Sequence, residues 1–428
     1  MIKIIKGNQT GSAKQAVNDL CKRDVNEDLA EVEALVREIL EAVRTGGDDA
    51  LRMYSERFDG FFPEVFEIGR GEMRRAFEEV DDDFRKAIIH AAENIRTYHE
   101  KQKVYGYEMK GENNVVMGQI VRGLTTVGLY VPGGTAAYPS TVLMNAIPAK
   151  IAGVENLIMT TPKENREIFA TAYLAGVDRI FLCGGAQAVA ALAYGTERIP
   201  RVDKIVGPGN LYVATAKRLL FGQVDIDMVA GPSEIVIIAD KTGNPEYIAA
   251  DMLSQAEHDK KSAAILLTTD EKLAIKVSEV LENQLSLLRR KAIAEASMNE
   301  NGMIVLCRSE DEMIDLANEI APEHLEIHSV DPFAMMSGIR NAGSVFLGPY
   351  SPEPLGDYYA GTNHVLPTSG TARYASPLGV YDFVKRMSYT CYTKEALELA
   401  KDDIVTIGEA EGLEAHVKAV KIRDCSDN

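Results

Sequence analysis

The chain has 428 residues, 46% hydrophobic and 26% charged, which is the composition of a globular protein able to bury a sizeable core. Its 46 Lys and Arg face 64 Asp and Glu, a formal net charge of −18, which argues against partners that need a basic face: no nucleic acid and no anionic membrane surface. No apolar run approaches the ~18 residues of a membrane span, and Met1-Ile2-Lys3-Ile4-Ile5-Lys6 is too short and broken for a secretion signal. The cysteines, Cys21, Cys183, Cys307, Cys391 and Cys425, are scattered and include no C-x-x-C pair, so a cytoplasmic protein with reduced thiols is expected.

The first hundred or so residues read as helical. Val32, Leu35, Val36, Ile39, Leu40 and Val43 share one helix face, and Gly46-Gly47 is expected to stop that helix. A second helical pattern runs from about Gly71 to Gln102, with Phe84, Ile88, Ala91 and Ile95 on one side. Both are read as structural. From Thr125 the texture changes to short apolar runs alternating with Ala-rich helical stretches. The predicted strands are Thr126–Val131, Asn156–Thr160, Arg179–Cys183, Lys204–Val206, Glu234–Ala239, Ala263–Thr268, Met303–Cys307 and Ser344–Leu347. Such alternation predicts βαβ units and a mainly parallel arrangement, as one large sheet or two α/β halves. The tail returns to helix over Lys394–Ala400 and Ile407–Val420.

Glycine follows apolar runs at Pro132-Gly133-Gly134, Gly184-Gly185-Ala186-Gln187, Gly207-Pro208-Gly209-Asn210 and Gly231-Pro232-Ser233. Glycine lets backbone N–H groups approach a ligand, and a following helix N-terminus favours phosphate. One such loop is usually only a turn; several in succession point to a nucleotide or phosphate site. None is a G-x-G-x-x-G fingerprint.

Gln255 and His258 are three apart on a predicted helix starting near Pro245, and both can donate to zinc, although a solvated charged helix end is the commoner meaning of such a pattern. Glu323-His324 follows Ala321-Pro322, and an adjacent acid and imidazole can divide proton work. His328, in an apolar strand-like run, reads as structural. Asp357 and His364 fall in a Gly- and Pro-flanked loop of the kind that often carries function. His416 lies on the C-terminal helix, five residues after Glu411, and alone reads as a surface histidine; His90 and His99 have no evident partner.

Taken together these runs resemble the histidinol dehydrogenases. The resemblance rests on Gly128-Leu129-Tyr130-Val131-Pro132-Gly133-Gly134, the run from Gly184 to Gly195, Val206-Gly207-Pro208-Gly209-Asn210 and Ala230-Gly231-Pro232-Ser233-Glu234. It continues through Gln255-Ala256-Glu257-His258-Asp259, Ala321-Pro322-Glu323-His324-Leu325, Gly361-Thr362-Asn363-His364 and Glu411-Gly412-Leu413-Glu414-Ala415-His416, and covers nearly the whole chain in order. It implies oxidation of L-histidinol through bound L-histidinaldehyde to L-histidine with reduction of two NAD+, the last steps of histidine biosynthesis. It also implies one Zn2+ per active site and a homodimer whose active site is shared between subunits.

By the same resemblance Gln255, His258, Asp357 and His416 would hold the metal, His416 coming from the other subunit. Glu323 and His324 would be the acid–base pair. Ser233, His364 and Glu411 would join the ligands and the acid–base pair on substrate, while Tyr130, Gln187 and Asn210 would contact NAD. The implied fold is α/β, with two incomplete Rossmann-like halves, an N-terminal helical arm and a small swapped C-terminal tail. Its expected divisions are an arm over 1–24, a first α/β domain over 25–125 plus 235–378, a second over 126–234, and the tail over 379–428.

The implied zinc would orient substrate through its imidazole and amine nitrogens, His324 would take the alcohol proton, and Glu323 would activate water against the aldehyde. Cys183, at a strand end, is the one cysteine placed to act as a thiol nucleophile, but a free cysteine is more often a small buried hydrophobe. Three other readings compete. They are a zinc hydrolase, a relative acting on another polar alcohol, and a non-catalytic binding protein. Glu411 would neutralise a cationic substrate and so favours an amino alcohol.

Overall fold

A computed structural model describes residues 2–6, 14–17, 29–133 and 138–423. Cys21, Gly134, Cys425 and most of the expected N-terminal arm lie outside the described residues. The strands are β1 (Lys3–Lys6), β2 (Glu67–Ile68), β3 (Tyr107–Lys110), β4 (Val116–Gly123), β5 (Thr126–Tyr130), β6 (Asn156–Thr161), β7 (Arg179–Leu182) and β8 (Lys204–Val206). There follow β9 (Asp225–Ile226), β10 (Glu234–Ala239), β11 (Ala263–Thr268), β12 (Met303–Leu306), β13 (His324–His328), β14 (Ser344–Leu347) and β15 (Val384–Cys391).

The chain divides into two compact units, residues 1–102 with 124–383 and residues 103–123 with 384–428. The first unit holds two six-stranded sheets, which decides between the one-sheet and two-half arrangements. One has the order β1-β12-β11-β10-β13-β14 and is parallel throughout. The other has the order β2-β7-β6-β5-β8-β9 and is parallel except where β2 meets β7. Helices cover both faces of the strands, so β10 and β11 are buried from end to end and apolar except for Glu234 and Thr268 at their ends, as parallel strands between two helical layers must be. The expected strands are present to within a residue at each end.

Local signals account for the helices between them. Asn165, Asn210, Asn244, Asp270 and Ser309 each accept a hydrogen bond from the first turn of the helix they precede. The helix Leu29–Asp59 does not stop at Gly46-Gly47. Gly47 breaks it with φ +51°, and it resumes because Glu197 accepts the Asp48 N–H at 2.9 Å, satisfying a donor at the new N-terminus. The second helical pattern is two helices, Arg70–Glu79 and Asp82–His99, parted where Asp81 caps the latter through the Asp83 and Phe84 N–H groups.

Val36, Ile39 and Leu51 share a core with Phe181 and Leu192, and Met73 and Ile95 share one with Val127 and Leu129. The helices of residues 29–99 therefore pack on the β5–β8 sheet.

The second unit contains a feature absent from the sequence reading. β15, β4 and β3 form an antiparallel sheet, with Val384 opposite Gly123 and Cys391 opposite Val116. The helices Lys394–Ala410 and Glu414–Lys421 belong to this unit, and Gly408 lets them approach, since a Cβ there would meet Val417. β3 and most of β15 are exposed, so no buried face imposes a period on their side chains. No described helix is long and apolar enough to cross a membrane.

Candidate active site

Two cavities of the first unit gather the expected site residues. A cleft of about 280 Å³ is lined by Ser233, His258, Glu323, His324, Asp357 and His364 together with the Gly207-Pro208-Gly209 and Gly231 backbone. A pocket of about 450 Å³ is lined by Tyr130, Gln187 and Asn210 together with Gly133, Gly184 and Gly185. The segments expected to carry proton chemistry and those expected to carry NAD thus converge on separate cavities. Glu411, which ends the helix Lys394–Ala410, and His416, on the helix Glu414–Lys421, are exposed residues of the second unit.

The 450 Å³ pocket lies where open α/β sheets bind ligands, at the carboxyl ends of β5, β6 and β7. The Tyr130 hydroxyl accepts the Gly185 N–H at 3.1 Å and pins the start of the helix Gly185–Tyr194, and burial pushes its pKa up to about 12. Asn210 caps the helix Leu211–Leu220 through Oδ1, at 3.1 Å from the Tyr212 nitrogen and 3.2 Å from that of Val213, which leaves its amide N–H groups for a ligand.

The Gly207–Asn210 loop is held from beneath by an ion pair that the sequence reading missed. Lys217 and Asp227 are 2% and 1% exposed and bonded to each other. Asp227 accepts the Gly207 N–H at 2.7 Å, while Lys217 donates to the Gly207 carbonyl at 2.9 Å, so one buried pair satisfies both polar groups of a single residue. Gly207 has φ +115°, and a Cβ there would run into the Tyr130 carbonyl oxygen.

The acid–base pair sits at the amino end of β13, next to the amino end of β10, so Gly231-Pro232-Ser233 leads into a strand. Glu323 and His324 are buried. Glu323 accepts the Glu234 N–H at 3.1 Å and shares a hydrogen bond with Ser233, yet burial outweighs both and raises its pKa to about 8. Burial also lowers the His324 pKa to about 4, so the ring is neutral. Its Nδ1 lies 3.2 Å from the Glu234 carbonyl oxygen, which can only accept. The proton therefore sits on Nδ1, and Nε2, which has no hydrogen-bond partner, is the basic nitrogen. Ala321, at φ +51°, turns the chain from the helix Glu310–Ile320 into this strand, and Gly343 lets β14 approach, since a Cβ there would meet the Glu323 carbonyl oxygen.

Asp357 lies on a short helix, Glu353–Tyr358, and not in an open loop; its carbonyl oxygen is 3.1 Å from His364 Nδ1. The helix Pro245–Ala256 ends before His258, which sits in the turn beyond it with its N–H on the Gln255 carbonyl at 3.2 Å. Gln255 is 0% exposed, and neither its amide oxygen nor its nitrogen has a partner. A buried primary amide with both ends unsatisfied costs on the order of 1–3 kcal/mol per group unless a ligand completes it. Gln255, His258 and Asp357 carry the nitrogen and oxygen donor types that zinc accepts, while among the described residues the ligand atoms gathered within 4.8 Å of one another around Asp357 are those of His324, Glu353 and Asp357.

Sequence reasoning also missed Glu353. It is 1% exposed, with its carboxylate 3.6 Å from His324 Nε2, and its N–H is bound by Glu326 at 2.8 Å. Burial and the neighbouring Asp357 keep it protonated. Only its position between Pro352 and Pro354 marks it in the sequence. Asp251, Glu326 and His328 form a second buried cluster, with His328 Nε2 3.1 Å from Glu326, in keeping with a structural His328. His99, which seemed to lack a partner, is buried against the Ile95 carbonyl at 2.8 Å. Cys183 is 1% exposed in an apolar cluster, and burial pushes its thiol pKa far up.

The histidinol dehydrogenase family model matches residues 22–424. A histidinol dehydrogenase of Bacillus cereus is 54% identical over 399 residues, covering 92% of each chain. One from Listeria monocytogenes is 50% identical over 423 residues, 98% of this chain and 99% of its own. The crystal structure of histidinol dehydrogenase from Elizabethkingia anophelis, 38% identical, superposes with a TM-score of 0.91 over 99% of this chain and 98% of that one.

Proposed function

Since the chain belongs to the histidinol dehydrogenase family, we propose that it oxidises L-histidinol, through L-histidinaldehyde held in the cleft, to L-histidine, with two NAD+ reduced per turnover. The observation that carries this reading is the buried pair Glu323–His324, in which a neutral imidazole with its Nδ1 proton engaged and its Nε2 free stands beside a carboxyl that burial keeps protonated below about pH 8.

Gln255, His258 and Asp357, with His416 of the partner subunit, would hold one zinc ion, which supplies a Lewis-acidic anchor for the substrate's nitrogens. Tyr130, Gln187 and Asn210 would hold NAD, which would supply the hydride acceptor. The remaining work belongs to the chain's own groups. His324 Nε2 takes the hydroxyl proton in the first oxidation. Glu323, once ionised, takes a proton from water as that water attacks the aldehyde carbon. His324, its first proton passed to solvent, then takes the hydroxyl proton of the hydrate in the second oxidation. Ser233, His364 and Glu411 complete the substrate's contacts. Glu411 and His416 would come from the swapped tail of a homodimer, and the buried free thiols of Cys183 and Cys307 suit the reducing cytoplasm.

The test is the NADH formed per L-histidinol consumed, with and without a zinc chelator. Two NADH per substrate, lost on chelation and restored by zinc, is the expected result. One NADH would mean that the aldehyde escapes and that Glu323 lacks the assigned role. None would overturn the reading.

A further inference from the structure

Among the described residues the 450 Å³ pocket has a single charged side chain in its lining, Asp59. Beside it the same helix, Leu29–Asp59, contributes apolar surface through Leu35, Ile39 and Phe58, and across the pocket Gly184-Gly185 opens the helix Gly185–Tyr194. Asp59 is the last residue of its helix, where the negative end of the macrodipole disfavours a carboxylate. It is partly buried, and that burial raises its pKa against the opposing pull of the Lys163 ammonium. Among the described residues its carboxylate accepts no hydrogen bond, so the fold gains little from a charge at this point.

We propose that Asp59 binds the adenosine ribose of NAD, accepting hydrogen bonds from its vicinal 2′- and 3′-hydroxyls, and so makes the enzyme select NAD over NADP. The proposal rests on the reading that NAD occupies this pocket. An ionised carboxylate has only acceptor sites, which match two adjacent hydroxyl donors. The apolar surface of Leu35, Ile39 and Phe58 lies next to Asp59, as the adenine lies next to its ribose. A 2′-phosphate would bring about two negative charges against Asp59. Among the described residues no cationic side chain lines the pocket to receive it, the Lys163 ammonium that acts on Asp59 lying outside that lining. An acidic group on the ribose is the general solution where nucleotide sites discriminate between the two dinucleotides.

The test compares kcat/KM for NAD and NADP in the wild-type enzyme and in Asp59→Asn, with L-histidinol saturating. The NAD-to-NADP ratio should fall by about tenfold or more, through the KM values of the two nucleotides, and Asp59→Glu should recover part of it. A folded Asp59→Asn whose ratio stays within about twofold of wild type overturns the proposal while leaving the histidinol reading intact. Should Asp59→Asn fail to fold, Asp59→Ser serves in its place. Calorimetric titration with ADP-ribose and with its 2′-phosphate, without histidinol, separates the two ideas. Weaker selection for ADP-ribose in the variant supports Asp59 even if histidinol is not oxidised. A wild-type protein that binds neither probe removes the pocket's assignment to NAD and the role of Asp59 with it.

Discussion

Glu323 and His324 are neighbours in the chain, and burial moves their pKa values in opposite directions because it penalises whichever form is charged. His324, lowered to about 4, is already a free base near neutral pH, so it imposes no titration there. Glu323, raised to about 8, must lose its proton before it can activate water. The rate of aldehyde oxidation should therefore rise with pH through about 8, while alcohol oxidation stays flat across that range. Glu323→Gln should remove the rise and slow the aldehyde step by about a hundredfold or more, sparing alcohol oxidation; equal loss in both half-reactions would contradict the assignment.

The same shift has a sign for stability. The stability Glu323 contributes is fully present below its ordinary pKa of 4.5 and is lost as pH rises through about 8. Glu323→Gln should therefore gain melting temperature relative to wild type most clearly on the alkaline side. Cys183→Ser should keep turnover, because no water-based step uses the thiol. Its stability should fall by about 1–3 kcal/mol, since a hydroxyl replaces a thiol in an apolar cluster.

Among the elements, the Gly207–Asn210 loop shows how a single turn can serve both cavities. Gly207 and Gly209 face the cleft, Asn210 faces the pocket, and the Lys217–Asp227 pair fixes the loop between them. Lys217→Met would leave a buried carboxylate unpaired and free the Gly207 carbonyl. A loss of about 3–5 kcal/mol in unfolding free energy is expected, with a raised KM for NAD. Unchanged values in both measurements would show that the pair does not hold the loop. The helix Leu29–Asp59 gives a different lesson. Its apolar stripe reads correctly as a core face, yet Leu35 and Ile39 also line the pocket, because a helix packed at the edge of a cavity buries one face and presents its margin to the ligand.

For the whole molecule, the proposed metal set would be completed only in an assembly, by Gln255, His258 and Asp357 with His416 of the partner subunit. If His416 acts across a dimer, His416→Ala and Asp357→Ala proteins should each lack activity, and subunit exchange between them should restore one functional site per hybrid dimer. Zinc content and NADH formation after mixing would measure it, and no recovery would place His416 outside a shared site. The net charge of −18 would keep such an assembly well solvated.

The parallel strands and the helices between them are legible in the chain, since β5 to β8 and β10 to β12 are largely buried and carry mostly apolar runs. Its histidines, carboxylates and glycine turns mark residues that line both cavities. What surrounds each of them depends on how the chain folds. Exposed β3 and β15 leave no period in the chain because neither face is constrained by a core. Glu353, Asp227 and Asp59 look like ordinary surface acids in the sequence. Their burial and their surroundings, the Lys163 ammonium near Asp59 among them, come from segments far away in the chain. Which proton sits on His324, and why Glu323 keeps its own, follow from desolvation by that surrounding protein, a quantity that exists only once the chain has folded.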